Sequence, residues 1–109
     1  MSPGLAWGAL LLAGLLDVAW ALSMKLAAGY TRPGWTLASL ACLAGFVLLL
    51  GRALQALPVG TAYAVWTGLG AAGTVLAGAW LFGEALTAAR LLGILLVLAG
   101  ILALKLAPA

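Results

Sequence analysis

Read along the chain, polar residues occur as brief punctuation between long apolar runs, and the runs match the roughly 20 residues that a helix needs to cross a bilayer core. Four such stretches are predicted: Leu5 to Met24, Trp35 to Leu54, Val59 to Phe82 and Ala88 to Leu106. The connections between them are short. Lys25 to Gly34 holds Gly29, Thr31, Arg32, Pro33 and Gly34, Gln55 to Pro58 reads as a tight turn, and Gly83 to Thr87 holds Glu84. Loops of this length predict sequential helices that lie antiparallel and adjacent, with residues 1–109 forming one transmembrane domain and the loops leaving no room for an extramembrane one.

Composition agrees. The chain is 67% hydrophobic and 6% charged, and its mean hydropathy is +1.28, against roughly 25% charge in a water-soluble domain. So few charges cannot cover a small globule in water. Lipid is therefore the predicted solvent, and soluble enzymes and nucleic-acid readers are disfavoured. Five basic residues spread from Lys25 to Lys105 make no patch that would follow a phosphate backbone, so no nucleic-acid partner is expected. Cys42 alone supports neither a disulfide framework nor a metal site. No metal, cofactor or catalytic residue is expected. The first stretch lacks a preceding basic region and is interrupted by an acid, which argues against a signal peptide.

Cytoplasmic loops normally carry the excess of Lys and Arg. Here Lys25, Arg32 and Arg90 fall on one side, and Arg52, Lys105 and the amino terminus on the other. The bias nearly cancels, which predicts insertion in both orientations and permits an antiparallel dimer. Lys25, Arg32, Arg52 and Arg90 at helix ends are expected to snorkel to head groups, Lys105 suits the dipole of the last helix, and Glu84 is expected to be solvated.

Asp17 has no such explanation. It lies roughly 18 Å along a helix from Leu5, among Leu15, Leu16, Val18 and Ala19, where a carboxyl group costs about 2.5 to 3.5 kcal/mol on an insertion scale. Intramembrane acids usually mark an ion or proton path. A carboxyl can carry a proton or, when ionised, pair with a cation, so the two would compete for one site. Ala13, Gly14, Asp17, Trp20 and Ala21 share a helical face, on which small residues admit a neighbouring backbone and Trp20 offers an aromatic surface. In the third stretch Tyr63, Trp66, Thr67 and Gly70 form a second stripe. With Asp17 and Trp20 it predicts a box for a small organic cation.

Gly68-Leu-Gly70-Ala-Ala-Gly73 matches GxGxxG, but it lies inside an apolar span with no preceding strand and no acid about 20 residues on, so no dinucleotide is expected. Gly68 and Gly70 read instead as a weak point at which the helix bends. Gly93 and Gly100, seven residues apart, read as a seam for close helix association. Packing inside one subunit accounts for them almost as well. Four short helices can hardly enclose a water-filled site, which favours two copies.

The stretches AGLLDVAWA (Ala13 to Ala21), GYTR (Gly29 to Arg32), LPVGTAYAVWTGLG (Leu57 to Gly70), Gly83-Glu84 and GILALK (Gly100 to Lys105) resemble the small multidrug resistance family. Trp20, three residues after the acid, and the late Leu-Lys resemble its guanidinium-exporter subtype. The resemblance implies an all-α membrane protein with four transmembrane helices per subunit, assembled as an antiparallel, dual-topology homodimer in the inner membrane. It implies exchange of guanidinium or small guanidinyl cations for protons by alternating access, with Asp17 binding substrate or proton. Gly14, Trp20, Tyr63 and Trp66 match the lining residues, Gly68 and Gly70 the helix bend, and Gly93 and Gly100 the dimer seam. The alternatives are a broad exporter of quaternary ammonium and other hydrophobic cations, or a non-transporting subunit of a heteromeric membrane complex. Two positions depart from the family pattern. Asp17 stands where the central acid is typically glutamate, and Phe46 where the guanidinium subtype often has a serine that hydrogen-bonds the acid.

Overall fold

Local chemistry at the punctuation residues sets where each helix begins and ends. The computed structural model describes residues 2–107, which form α1 (Pro3–Leu26), α2 (Pro33–Ala53), α3 (Val59–Phe82) and α4 (Ala88–Leu106). All four are long and apolar enough to cross a membrane. The Leu5 N–H donates to the Ser2 hydroxyl at 3.2 Å, and Pro3 supplies a φ already suited to the first helical position, so α1 starts ahead of the apolar run. Pro33 does the same for α2. Thr87 caps α4 by accepting the Arg90 N–H at 3.2 Å, and Gly83 closes α3 at φ 65°, where a side chain would be strained.

The α1–α2 connection turns sharply through three successive left-handed residues, Ala28, Gly29 and Tyr30, at φ 50°, 72° and 66°. Two of these carry the Cβ penalty of that region. The turn is held by the N–H groups of Thr31 and Arg32, which donate to the Ala27 carbonyl at 3.0 and 3.2 Å, and by the Thr31 hydroxyl, which donates to the Ala28 carbonyl at 2.8 Å.

Packing departs from the simple sequential order expected of short loops. α1 is central and packs on both α2 and α3, α2 and α3 barely touch, and among the described residues the backbone of α4 comes close to that of α3 alone. Side-chain size explains the arrangement. α1 buries Ala6, Ala9, Leu10, Ala13 and Gly14, mostly small residues that let two backbones come close. The rings of Phe46 and Trp66, 5.3 Å apart, stand between α2 and α3 and hold them apart. α4 buries only Ile94 and leaves Leu92, Leu95, Leu96 and Leu102 more than half exposed. In hydrocarbon that exposure has no hydrophobic cost, because lipid tails are as apolar as leucine.

Two charges expected to face solvent or head groups are exposed and are also paired with each other. The Lys25 ammonium donates to Glu84 Oε2 at 2.6 Å and lies 4.6 Å over the Phe82 ring, tying the end of α1 to the loop after α3. This hydrogen bond, together with the ammonium charge, holds the Glu84 carboxyl below its ordinary range. At the opposite face the Lys105 ammonium lies 5.4 Å over the Trp7 ring, a cation–π contact in addition to its place at a helix C-terminus.

Candidate functional site

The small-residue stripe of α1 is where α3 comes closest, and glycines on α3 record how close. A Cβ placed at Gly73 would lie 2.7 Å from Val18 Cγ2, and one placed at Gly14 would lie 3.1 Å from Leu69 Cβ. One placed at Gly70 would run into Asp17 Oδ2 and lie 3.0 Å from its Cγ. Positions 14, 17 and 18 thus meet 69, 70 and 73 in ascending order, so α1 and α3 run parallel with the Asp17 carboxylate lying on the bare backbone of Gly70. Asp17 is half-buried, and among the described residues it forms no ion pair. On the other side a Cβ at Gly45 of α2 would lie 3.1 Å from Leu16 Cδ1, which puts position 46 at about the height of the acid.

Four aromatic rings form a row that links α1, α2 and α3. Trp20 lies 5.4 Å from Phe46 with the planes tilted by 56°, Phe46 lies 5.3 Å from Trp66 in a near-stacked arrangement, and Tyr63 meets Trp66 edge-on at 5.5 Å. Trp20 follows Asp17 on α1, and Trp66 precedes Gly70 on the parallel α3. The two indoles therefore stand on opposite sides of the carboxylate along the membrane normal, with Phe46 between them. Among the described residues the buried Trp66 indole nitrogen has no hydrogen-bond partner, whereas Tyr63 is 59% exposed.

The third-helix stripe, read from sequence as one surface, is divided. Gly70 and Trp66 turn toward α1 and α2, whereas Tyr63 and Thr67 line the groove between α3 and α4 together with Gly68 and Gly100. At about 100° of turn per residue these four positions span an arc wide enough to meet different neighbours at its two edges. Phe46 is the wall residue that the site reading had not included. Its signal is the family resemblance, which puts position 46 near the acid, and its being the sole ring in the middle of α2, but nothing in the spacing shows which way it points.

The remaining glycines fall into two groups. α3 runs unbroken through Gly68 and Gly70, and a Cβ at Gly68 would lie 3.0 Å from both Val97 Cγ1 and Ile101 Cδ1, so this glycine lets α4 approach. Gly93 and Gly100 are different, because among the described residues a Cβ on either would meet nothing within 4 Å. Packing inside one subunit therefore gives no reason for glycine at those two positions.

The model of the Small Multidrug Resistance protein family matches residues 5–97. A protein of Yersinia pseudotuberculosis named guanidinium exporter is 48% identical over 103 residues, covering 94% of this chain and 99% of the relative. Proteins of the same name from Citrobacter freundii and Salmonella typhimurium are 46% identical, covering 94% of this chain and 98% of each relative. With its four spanning helices and this likeness along nearly its whole length, the chain belongs to the small multidrug resistance family and is a multi-pass protein of the inner membrane.

Proposed function

We propose that this protein exports guanidinium or small guanidinyl cations in exchange for protons, by alternating access in an antiparallel homodimer. The observation that carries the reading is the Asp17 carboxylate, which lies against Gly70 without an ion-pair partner among the described residues, three positions before Trp20 in a row of aromatic rings. A carboxylate offers two parallel acceptors to a planar guanidinium, and aromatic faces attract a desolvated cation. A proton would compete for the same oxygens, which is the coupling an exchanger needs. In this reading Gly14 lets α3 approach and Gly70 gives the carboxylate its room, and Trp20, Tyr63 and Trp66 wall the cation. Gly68 and Gly70 give α3 the freedom to bend between two shapes. The names of the relatives favour guanidinium as cargo.

Uptake of guanidinium by proteoliposomes containing this chain alone, driven by an imposed proton gradient, tests the reading. Uptake that rises with the gradient is expected, and uptake indifferent to it would rule out exchange. The aromatic row also suits quaternary ammonium cations, which need apolar surface and donate no hydrogen bonds. Running both cations in the same assay separates the readings, since transport of quaternary ammonium alone would replace the guanidinium assignment.

The open faces of Gly93 and Gly100 support α4 as the seam between two subunits. Replacing both with leucine should leave the subunit fold intact and weaken self-association by about tenfold or more, the equivalent of about 1.4 kcal/mol. Cross-linking in membranes and sedimentation in detergent read this directly. Undiminished association would move the seam elsewhere.

A further inference from the structure

Away from the central site the fold seats a second acid on α3. A Cβ placed at Gly78 would run into Glu84 Oε1 and lie 3.1 Å from its Cδ, so this carboxylate rests on bare helix backbone as Asp17 does on Gly70. The N–H groups of Gly83 and Glu84 both donate to the Gly78 carbonyl, the second at 3.4 Å, which ties Glu84 to the end of α3. Its other oxygen accepts from the Lys25 ammonium at 2.6 Å, and that ammonium also lies over the Phe82 ring. Arg90 of α4 is occupied within the same loop, donating to the Ala85 carbonyl at 3.2 Å.

The place of this pair relative to Gly68 and Gly70 decides what it can do. Lys25 follows Asp17 by eight residues on α1, and Gly78 follows Gly70 by eight on α3, so the pair lies about 12 Å further along both helices. A bend at Gly68 and Gly70 swings the later half of α3 against the unbroken α1, and the pair fastens the end that swings. We propose that Lys25 and Glu84 form a latch between α1 and α3, which must open before α3 can bend and which thereby sets how fast the two shapes interconvert. The proposal rests on the reading of the protein as an antiparallel homodimer whose α3 bends at these glycines. In such a dimer the two latches lie at opposite faces of the membrane. Because the subunits are identical, the forms open to either face hold the same number of closed latches. Loss of the latch therefore changes the rate of exchange between them and leaves their proportions equal.

Lys25→Met and Glu84→Gln, singly and together, test it in the full chain reconstituted in lipid bicelles, with exchange between the two forms read by NMR exchange spectroscopy. Each single variant removes the ion pair while nearly keeping side-chain size, and should speed exchange by about threefold, the scale of an exposed ion pair. The double variant should be no faster than either alone, since both act through one contact. The swap of Lys25→Glu with Glu84→Lys should return the rate toward wild type, and the three neutral variants carry the test if the swapped chain fails to insert. Rates unmoved by the single variants, effects that add in the double variant, or a shift in the proportions of the two forms would each overturn the latch. A merely structural role would lower the unfolding temperature and leave the rate unmoved, which is the first of these results. A wild-type chain that shows one form only overturns the alternating-access reading and this proposal with it. Two exchanging forms whose rate ignores Lys25 and Glu84 overturn this proposal alone.

Discussion

Asp17→Asn should reduce proton-driven guanidinium transport to background while leaving the protein folded and inserted. Asparagine has nearly the size and shape of aspartate, so contact with Gly70 is preserved, and removal of an ionisable group from a membrane helix favours insertion. What is lost is the charge that pairs with the cation and the acid that exchanges a proton. Loss of one member of a buried charge pair costs about 3 to 5 kcal/mol, and at about 1.4 kcal/mol per tenfold the expected fall is at least a hundredfold. Initial uptake rates at matched protein incorporation, alongside thermal unfolding in detergent, provide the measurement. Retention of a substantial part of wild-type uptake would mean that the acid only holds helices together.

Gly70→Ala is the second large effect, and it sets local preference against site geometry. Alanine is favoured over glycine within a helix by about 1 kcal/mol, so α3 by itself should gain stability. The added methyl, however, would occupy the place of Asp17 Oδ2 and press on Cγ at 3.0 Å. Because its neighbours are packed, the carboxylate must turn away from α3. Transport should fall by about tenfold or more, the scale on which a small misplacement of a reacting group is felt, with unfolding temperature unchanged or raised. Gly60→Ala is the control, since that glycine lies in the first turn of α3 with nothing within 4 Å of an added Cβ, and its transport should match wild type. Equal transport by Gly70→Ala and Gly60→Ala would show that the carboxylate does not work from its position on Gly70.

The two variants probe parts of the protein that differ in how readable they are. Asp17 was evident because a charge in an apolar run is expensive wherever the run is placed, and the cost depends only on the nature of the solvent. The sequence reading of Gly70 is a bend alone, and its bare backbone also makes room for the acid. That role depends on which residue of another helix arrives opposite, and no periodicity within α3 contains it. Phe46 shows the same limit. Its aromatic character was plain, but its position between Trp20 and Trp66 follows from the registers of α1, α2 and α3 together.

The order of helices is a further case. Short loops suggested neighbours in sequence order, yet α2 and α3 are held apart while α1 serves both. Loop length limits how far two helix ends can separate. It does not limit how the helix bodies diverge, which is settled by the bulk of the side chains between them, alanine and glycine on α1 against phenyl and indole between α2 and α3. The Lys25–Glu84 pair is similar, since its partners lie at opposite sides of two intervening helices and meet only because α1 and α3 run parallel.

By itself the sequence determined the solvent, the number and approximate limits of the spans, and the presence of one acid that lipid does not tolerate without a reason. These are properties of composition and of hydrophobic period, and each residue contributes to them whatever its neighbours in space. Tertiary structure alone decided that the acid lies on a glycine of α3, that a phenyl ring from α2 completes the aromatic row between α1 and α3, and that α4 leaves its glycines open. Those outcomes arise from shape and register between helices. In a bilayer the hydrophobic effect no longer chooses among faces, so close packing of small against large side chains makes the choice.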